Sequence, residues 1–225
     1  MPLFLIPDNP GLKNPIELCD DDKHHLTASL RAKVGDQIYL SDNTGTRQRA
    51  IIKTLDPLEF ELKDRETLPT LKNFTVYLPL ISKDRLKWTI EKLCELGVKT
   101  VQLIETERTQ AQKNEEKLVE KLQKIAAQAQ KQCLRPWPVE IFPAIKLSEV
   151  KIEGQLGFAS LSPSAKFASH NWDGIFIGPE GGFTSQEEEF LKNNKVQGFS
   201  LGHQVLRTET AAIAASTLVL IGHSQ

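Results

Sequence analysis

The chain has 225 residues, of which 40% are hydrophobic and 25% are charged, and its formal net charge is −1. This composition is typical of a water-soluble globular protein with one large domain or two small ones. The near-neutral charge argues against a protein that binds nucleic acid over its whole surface, because such binding needs many cations opposite the phosphates. It leaves room for a local basic face.

The cysteines and the N-terminus further narrow the class of protein to which the chain can belong. Cys19, Cys94 and Cys133 are widely spaced and form no Cys-x-x-Cys pattern, so we expect reduced thiols and no metal site. The start of the chain lacks the basic segment of a secretory signal, and no apolar run is long enough to span a bilayer. The sequence therefore predicts a cytoplasmic protein without a membrane anchor.

The first 70 residues predict a small β-rich module. One helix is expected over residues 20–31, and strands are expected over residues 37–41, 46–55 and 58–62. The Asp-Asn-Thr-Gly sequence at 42–45 predicts a hairpin between the first two strands. Residues 63–72 have the composition of a loop and predict a linker.

Helical and strand patterns alternate in the second part of the chain. Strands are expected over 74–79, 98–104, 139–141 and 155–159, with a helix over 83–96 that ends at Gly97. A longer helix over 115–132 carries an apolar stripe opposite a row of lysines. This alternation predicts an α/β fold with a mostly parallel sheet. The lysine row is read either as a solvated face or as an RNA contact.

Two glycine-containing turns stand out near the end of the chain, at residues 178–183 and 201–210. Each follows a short apolar run, at 174–177 and 196–201, and each precedes an expected helix. Open α/β sheets bind ligands at the carboxyl ends of such strands. Glu180 lies inside the first turn and no Gly-Lys-Ser/Thr sequence follows, so a neutral or cationic ligand fits better than a phosphate. The alternative is a pair of tight turns with no ligand.

The last expected helix, from Thr208 to about Ile221, is apolar or small on every side beyond Glu209. A helix of this kind must be covered on every side. Either its own domain surrounds it or a second copy of the chain covers part of it.

The two turns carry a resemblance to a known family. Residues 177–183 and 201–211 resemble the two signatures of the RsmE family, the 16S ribosomal RNA uridine-N3 methyltransferases of the α/β-knot (SPOUT) superfamily. Residues 25–36, 92–98, 107–108 and 132–135 also match positions of the family pattern. The resemblance implies a PUA-like RNA-binding β-barrel over 1–70 and a trefoil-knotted methyltransferase domain over 71–225. It also implies a homodimer that acts on 16S ribosomal RNA in the small subunit.

The resemblance implies S-adenosylmethionine as the methyl donor, held in a pocket made by the two turns. The implied cofactor residues are Leu161, Gly178, Pro179, Gly181, Gly182, Leu201, Gly202, Val205, Leu206, Thr208, Thr210 and Ala211. Leu161 comes from a looser match, with Ser162 and Pro163, to a third cofactor loop. Methylation of uracil N3 requires loss of a proton and stabilisation of charge on the carbonyl oxygens. Arg207 is the candidate that stabilises that charge or binds the cofactor carboxylate, and its alternative is a salt bridge to Glu209 or Glu180. Glu180 or Glu209 is the candidate proton acceptor.

We assign RNA contacts to six basic residues: Arg31, Lys33, Lys92, Arg108, Lys124 and Arg135. Two positions depart from the family pattern. Leu3, Phe4 and Leu5 occur where the family usually has an arginine, and Lys131 occurs where it usually has a glutamate. Three other functions stay open: methylation of a ribose 2′-hydroxyl, RNA binding without catalysis, and an enzyme of small nucleotides.

Overall fold

The computed structural model describes residues 1–109, 115–161, 166–167 and 171–221. The chain divides into two compact units. The first consists of Met1–Thr70 with Gln128–Pro138, and the second consists of Leu71–Ala127 with the chain from Val139 onward.

The first unit is built on a four-stranded sheet with the order β1-β2-β3-β4. The β1–β2 pair is parallel and the other two pairs are antiparallel. A π-helical turn, His25–Ser29, continues from α1. The elements are β1 (Leu3–Leu5), α1 (Asp20–His24), β2 (Gln37–Ser41), β3 (Thr46–Leu55) and β4 (Leu58–Thr67).

Alternating apolar residues of β2 and β3 form the core of this unit. Ile38, Leu40, Ala50 and Ile52 are buried there together with Leu26, which follows α1. Successive residues of a strand point to opposite faces of the sheet, so this alternation places one face in the core. The predicted strands 37–41 and 46–55 are confirmed at both ends.

The predicted hairpin at 42–45 is confirmed, and its buried aspartate organises the connection. The Asp42 carboxylate accepts hydrogen bonds from the Thr44 amide and hydroxyl and from the Gly11 amide. Burial raises the pKa of Asp42, but these hydrogen bonds outweigh burial and hold the pKa below its usual value. Gly45 has a φ of +88°, which a side chain disfavours.

Two predictions for this unit are wrong in extent. The helix expected over 20–31 ends at Ser29, because Arg31 has a φ of +50°, outside the right-handed helical region. The last strand continues to Thr67, through much of the expected linker 63–72. Its polar residues pair with β3 across the sheet, for example Arg47 Nη2 with Glu66 Oε2 at 2.5 Å.

Residues 128–138 belong to the first unit, whereas the sequence analysis placed them in the C-terminal domain. Gln130 Nε2 donates to Asn43 Oδ1 at 2.8 Å, and Lys131 Nζ lies 2.6 Å from Asp22 Oδ1. These contacts join positions far apart in the sequence. Lys131, where the family pattern usually has glutamate, is thus engaged in an ion pair.

The second unit contains a seven-stranded sheet with the order β7-β6-β5-β10-β8-β11-β9, in which every pair is parallel. This confirms the expected α/β class with a mostly parallel sheet. A 3-10 turn, Leu147–Glu149, follows β7. The strands are β5 (Thr75–Pro79), β6 (Thr100–Glu105), β7 (Glu140–Lys146), β8 (Leu156–Ala159), β9 (Lys166–Phe167), β10 (Gly174–Phe176) and β11 (Gln197–Ser200).

Four helices complete the elements described for the chain from residue 71 onward: α2 (Lys83–Glu95), α3 (Glu115–Gln132), α4 (Ser185–Asn193) and α5 (Thr208–Leu220). The apolar stripe predicted for α3 is confirmed, since Leu118, Leu122 and Ala126 are buried. The Thr184 hydroxyl and the Glu187 carboxylate cap the start of α4 reciprocally, as its capping-box sequence predicts.

The last helix, α5, packs against α2 and β5. Ala212, Ala215 and Val219 are completely buried on this side. On the other side Leu218 is 39% exposed, and Ile221, just beyond the helix, is 52% exposed. The sequence predicts that α5 is buried on every side, but the rest of the described chain buries one side of this helix only.

Gly45→Ala should destabilise the first unit more than Gly35→Ala does. Both glycines have a positive φ, but a Cβ at Gly45 would overlap the Trp137 indole, whereas a Cβ at Gly35 would meet no atom within 4 Å. We expect a loss of about 2–4 kcal/mol in unfolding free energy for Gly45→Ala and about 1 kcal/mol for Gly35→Ala. Urea unfolding measures both, and equal losses would contradict the Trp137 contact.

Candidate functional site

The carboxyl ends of β8, β10 and β11 open into one pocket. Both glycine turns contribute to it, together with residues that follow β8 and the first turn of α5. The lining residues are Ala159, Ser160, Leu161, Ile177, Gly178, Pro179, Glu180, Gly182, Leu201, Gly202, Gln204, Val205, Leu206, Thr208 and Ala211. This is the position at which open α/β sheets bind ligands.

Backbone groups come close to the pocket at both turns. In the first turn the Gly182 amide donates to Pro179 O at 2.8 Å, and Gly182 has a φ of +68°. A Cβ on Gly178 would lie 3.3 Å from Gly182 Cα, which is tight. In the second turn Gly202 has a φ of +125° and no atom within 4 Å of an added Cβ. Its backbone thus faces open space that a ligand can fill.

A hydrogen bond joins the two turns directly. The Thr208 hydroxyl, at the start of α5, donates to Gly178 O at 3.0 Å. Thr208 is only 3% exposed. Because a buried hydroxyl without a hydrogen-bond partner is costly, this bond fixes the start of α5 against the first turn.

Two apolar side chains of the pocket are unusually exposed. Val205 is 75% exposed and Leu161 is 65% exposed, the highest values for large hydrophobic residues in the described part of the chain. Apolar surface gathered at a pocket is typical of a ligand or partner site. A bound ligand with an apolar surface would cover both side chains.

The acidic residues beside the pocket share one cation that the sequence analysis did not identify. Arg85 of α2 pairs through Nη1 with Glu180 Oε1, and its Nε lies 3.7 Å from Glu209 Oε1. Glu209 is 7% exposed, and its Oε2 is buried and has no hydrogen-bond partner among the residues that the structure describes. Arg207 is exposed and forms no ion pair with any described residue.

The structure brings together most of the predicted cofactor residues. All of them line the pocket except Gly181 and Thr210, which lie in the same two segments. Of the predicted catalytic residues, Glu180 lines the pocket, whereas Arg207 and Glu209 do not. The predicted loop residues Ser162 and Pro163 lie outside the described residues.

Several residues of the site were missed by the sequence analysis. Ala159, Ser160 and Gln204 line the pocket, and Arg85 approaches it from a distant helix. The first two directly precede Leu161, so the end of strand β8 was an available signal for them. Nothing in the local sequence around Arg85 points to residues 180 and 209.

The predicted RNA-contacting residues have different surroundings. Arg31, Lys33 and Lys124 are exposed. Lys92 Nζ lies 2.7 Å from Glu95 Oε1, and this hydrogen bond raises the pKa of Lys92. The guanidinium of Arg108 donates to Gly181 O in the first turn.

Arg135 differs from the exposed basic residues in its burial. It is only 7% exposed, and its Nη2 donates to Pro138 O at 3.1 Å. Burial of the guanidinium limits its access to an RNA phosphate, and the RNA contact of Arg135 stays a prediction. The local basic pattern gave no sign of this burial.

Neither a membrane span nor a metal-ligand cluster was found in the described ranges. No helix there is both long enough and apolar enough to cross a bilayer. No group of three or more His, Cys, Asp or Glu side chains is arranged to hold a metal ion among those same residues.

Comparison with known proteins identifies the family to which the chain is similar. Residues 68–220 match the family described as RNA methyltransferase domain, and residues 18–64 match the RNA methyltransferase PUA domain. The ribosomal RNA small subunit methyltransferase E of Rickettsia conorii is 30% identical over 215 residues, covering 89% of this chain and 87% of that protein. The enzyme of the same name from Buchnera aphidicola is 28% identical, covering 96% of this chain and 92% of that protein.

A solved structure is similar over nearly the whole chain. It is the ribosomal RNA small subunit methyltransferase E of Neisseria gonorrhoeae bound to S-adenosyl methionine. The two chains are 30% identical and superpose with a TM-score of 0.85, covering 96% of this chain and 95% of the other.

Proposed function

The chain belongs to the RNA methyltransferase family that includes ribosomal RNA small subunit methyltransferase E, and we propose that it methylates N3 of one uridine in 16S ribosomal RNA with S-adenosylmethionine as donor. It is thus an RNA methyltransferase with an N-terminal PUA domain. The observation that supports the specific proposal most directly is the single pocket formed by both glycine turns.

The pocket fits the donor on two grounds. The open space at Gly202 gives a flat nucleoside access to the backbone, and the exposed apolar side chains of Leu161 and Val205 offer walls for it. Gly178, Gly182 and Leu206 would complete the contacts. When bound, S-adenosylmethionine supplies an electrophilic methyl group on a sulfonium centre. The protein is left with the task of preparing the acceptor.

Uracil N3–H is a weak acid, and its anion is the effective nucleophile. Each unit by which the site lowers the acceptor pKa contributes about 1.36 kcal/mol. Arg207 is exposed next to the pocket-lining Leu206 and pairs with no carboxylate of the described residues, so we propose that its charge acts on a uracil carbonyl oxygen. Glu180 lines the pocket and Glu209 does not, so Glu180 is our candidate for direct contact with the base.

The first unit supplies part of the RNA contacts in this proposal. Arg31 and Lys33 are exposed there, and lysines and arginines opposite phosphates position RNA by shape. We assign RNA binding to residues 1–70 and methyl transfer to residues 71–225, and we keep Lys92, Arg108 and Lys124 of the second unit as further proposed RNA contacts. The target uridine belongs to the small ribosomal subunit, which places the enzyme in the cytoplasm.

We also propose a trefoil-knotted second unit and a homodimer. The return of the last helix, α5, to pack against α2 and β5 near the start of that unit supports the knot. The half-exposed apolar side of α5 supports the dimer, because Leu218, Ile221 and the 46% exposed Trp88 of α2 would be covered by a second copy.

Cells that lack the protein should lack one N3-methyluridine in 16S ribosomal RNA. Wild type should restore this nucleoside, and Arg207→Ala should restore it slowly, because loss of one charge-stabilising donor costs on the order of 10²–10³ in rate. Mass spectrometry of digested ribosomal RNA measures the product. An unchanged nucleoside profile in the deletion strain would contradict the proposal, and loss of a 2′-O-methyl group would indicate the ribose alternative.

Val205→Ser should weaken S-adenosylmethionine binding. Replacing an apolar wall by a small polar side chain removes about 1–2 kcal/mol of burial, or roughly 5- to 30-fold in Kd. Val34→Ser is the matched control, because Val34 is 63% exposed and does not line the pocket. Isothermal calorimetry measures the Kd of both variants. The same Kd for Val205→Ser and wild type would exclude a contact between the Val205 side chain and S-adenosylmethionine.

Leu218→Asp should convert the protein to a monomer. A carboxylate in an apolar interface is desolvated without a partner and opposes association. Leu55→Asp is the control, because Leu55 is 37% exposed, close to the 39% of Leu218, and lies at the end of β3. Sedimentation velocity should give twice the monomer mass for wild type and Leu55→Asp. A monomeric wild type would refute the dimer.

A further inference from the structure

We propose that Arg85 is a positioning residue of the methyltransferase site, which holds Glu180 and Glu209 in one ion-pair cluster and thereby leaves Arg207 free for the substrate. The inference rests on the proposed function, because Glu180 and Arg207 matter only if the pocket binds the methyl donor and a base.

Arg85 connects three segments that are distant in the sequence. It is the third residue of α2, and its Nη1 bonds to Glu180 Oε1, 95 residues away in the first glycine turn. Its Nε lies 3.7 Å from Oε1 of Glu209, at the start of α5. The pocket lining includes residues on both sides of this cluster, from the first turn and from α5.

The guanidinium suits this role better than another cation. Its nitrogens lie in a fixed planar fork, so different edges can face two carboxylates at the same time. A lysine ammonium is a single point of charge on a flexible stem and cannot reproduce that geometry. Arg85 uses two different nitrogens for its two partners.

The charge of Glu209 depends on Arg85 for compensation more strongly than the charge of Glu180 does. It is 7% exposed, and among the described residues Arg85 is the cation within 4 Å of its carboxylate. Its second oxygen is buried and accepts no hydrogen bond in that part of the chain. Removing one member of a buried ion pair leaves the other charge uncompensated. The start of α5, which also carries Thr208, would then lose its electrostatic support.

Glu180 connects the cluster to the pocket. Its side chain is 51% exposed and lines the pocket while one oxygen is held by Arg85. Without Arg85 this carboxylate is released to turn into the pocket or to pair with Arg207. Either movement would interfere with the donor and with the charge that Arg207 offers to the base.

The experiment compares Arg85→Gln with Lys87→Gln in the full-length protein. Lys87 lies on the same helix and pairs with Asp84 at 3.5 Å on the surface, so it is the matched control. Calorimetry with S-adenosylmethionine should show binding weakened about tenfold by Arg85→Gln and unchanged by Lys87→Gln. Steady-state kinetics should show a raised KM for S-adenosylmethionine and an unchanged KM for RNA.

A double-mutant cycle separates positioning from general support of the fold. In a background that carries both Glu180→Gln and Glu209→Gln, Arg85→Gln should change the S-adenosylmethionine Kd by less than about twofold, because both carboxylates that it restrains are gone. The same tenfold loss in both backgrounds would overturn the inference. So would a Kd for Arg85→Gln equal to that of wild type.

Two further controls keep the result interpretable. If Arg85→Gln does not fold, Arg85→Lys keeps the charge without the fork and should still weaken binding measurably, whereas the wild-type Kd in that variant would overturn the inference. Wild type itself must bind S-adenosylmethionine. If it does not, the proposed function fails, whereas binding by wild type with an unaffected Arg85→Gln refutes only the role of Arg85.

Discussion

The site depends on the hydrogen bond from the Thr208 hydroxyl to the Gly178 carbonyl. The parallel sheet brings the ends of β10, β8 and β11 side by side, but adjacency of strands does not fix the distance between the turns that follow them. Thr208 supplies that constraint from the first residue of α5. A helix that is buried on one side against α2 and β5 thereby becomes one wall of a pocket.

Charge is distributed around this pocket in a way that the net charge of −1 does not reveal. Both nearby glutamates are paired with Arg85, and Arg108 donates to the carbonyl of Gly181. Arg207 forms no ion pair with the described residues and stays exposed. Within the described residues, the site thus combines two paired glutamates with an arginine that has no ion-pair partner, and we propose that this arginine stabilises negative charge developing on a neutral base.

The sequence predicted those parts of the fold and site that depend on local pattern. Short apolar runs before glycines identified β10 and β11, and the turns after them contain most of the pocket residues. Long-range contacts were not predictable in the same way. The polar C-terminal part of β4 is extended because it pairs with β3, where Arg47 forms an ion pair with Glu66. No single segment of the sequence encodes that pairing.

Arg85 and Arg135 illustrate the same limit in opposite directions. Arg85 is one of several cations in an amphipathic helix, and only the fold brings it to Glu180. Arg135 follows a lysine-rich helix and looks like part of a basic face, but the fold buries it. The role of a charged residue is predicted from its neighbours along the chain, whereas its actual role depends on its neighbours in space.

We propose that the two glycine turns form one binding site for one molecule. Nuclear magnetic resonance of the backbone amides during titration with S-adenosylmethionine tests it most directly. Amide signals from 180–182 and from 202–206 should shift together and fit one Kd. Shifts confined to one turn, or two turns that titrate with different affinities, would contradict it.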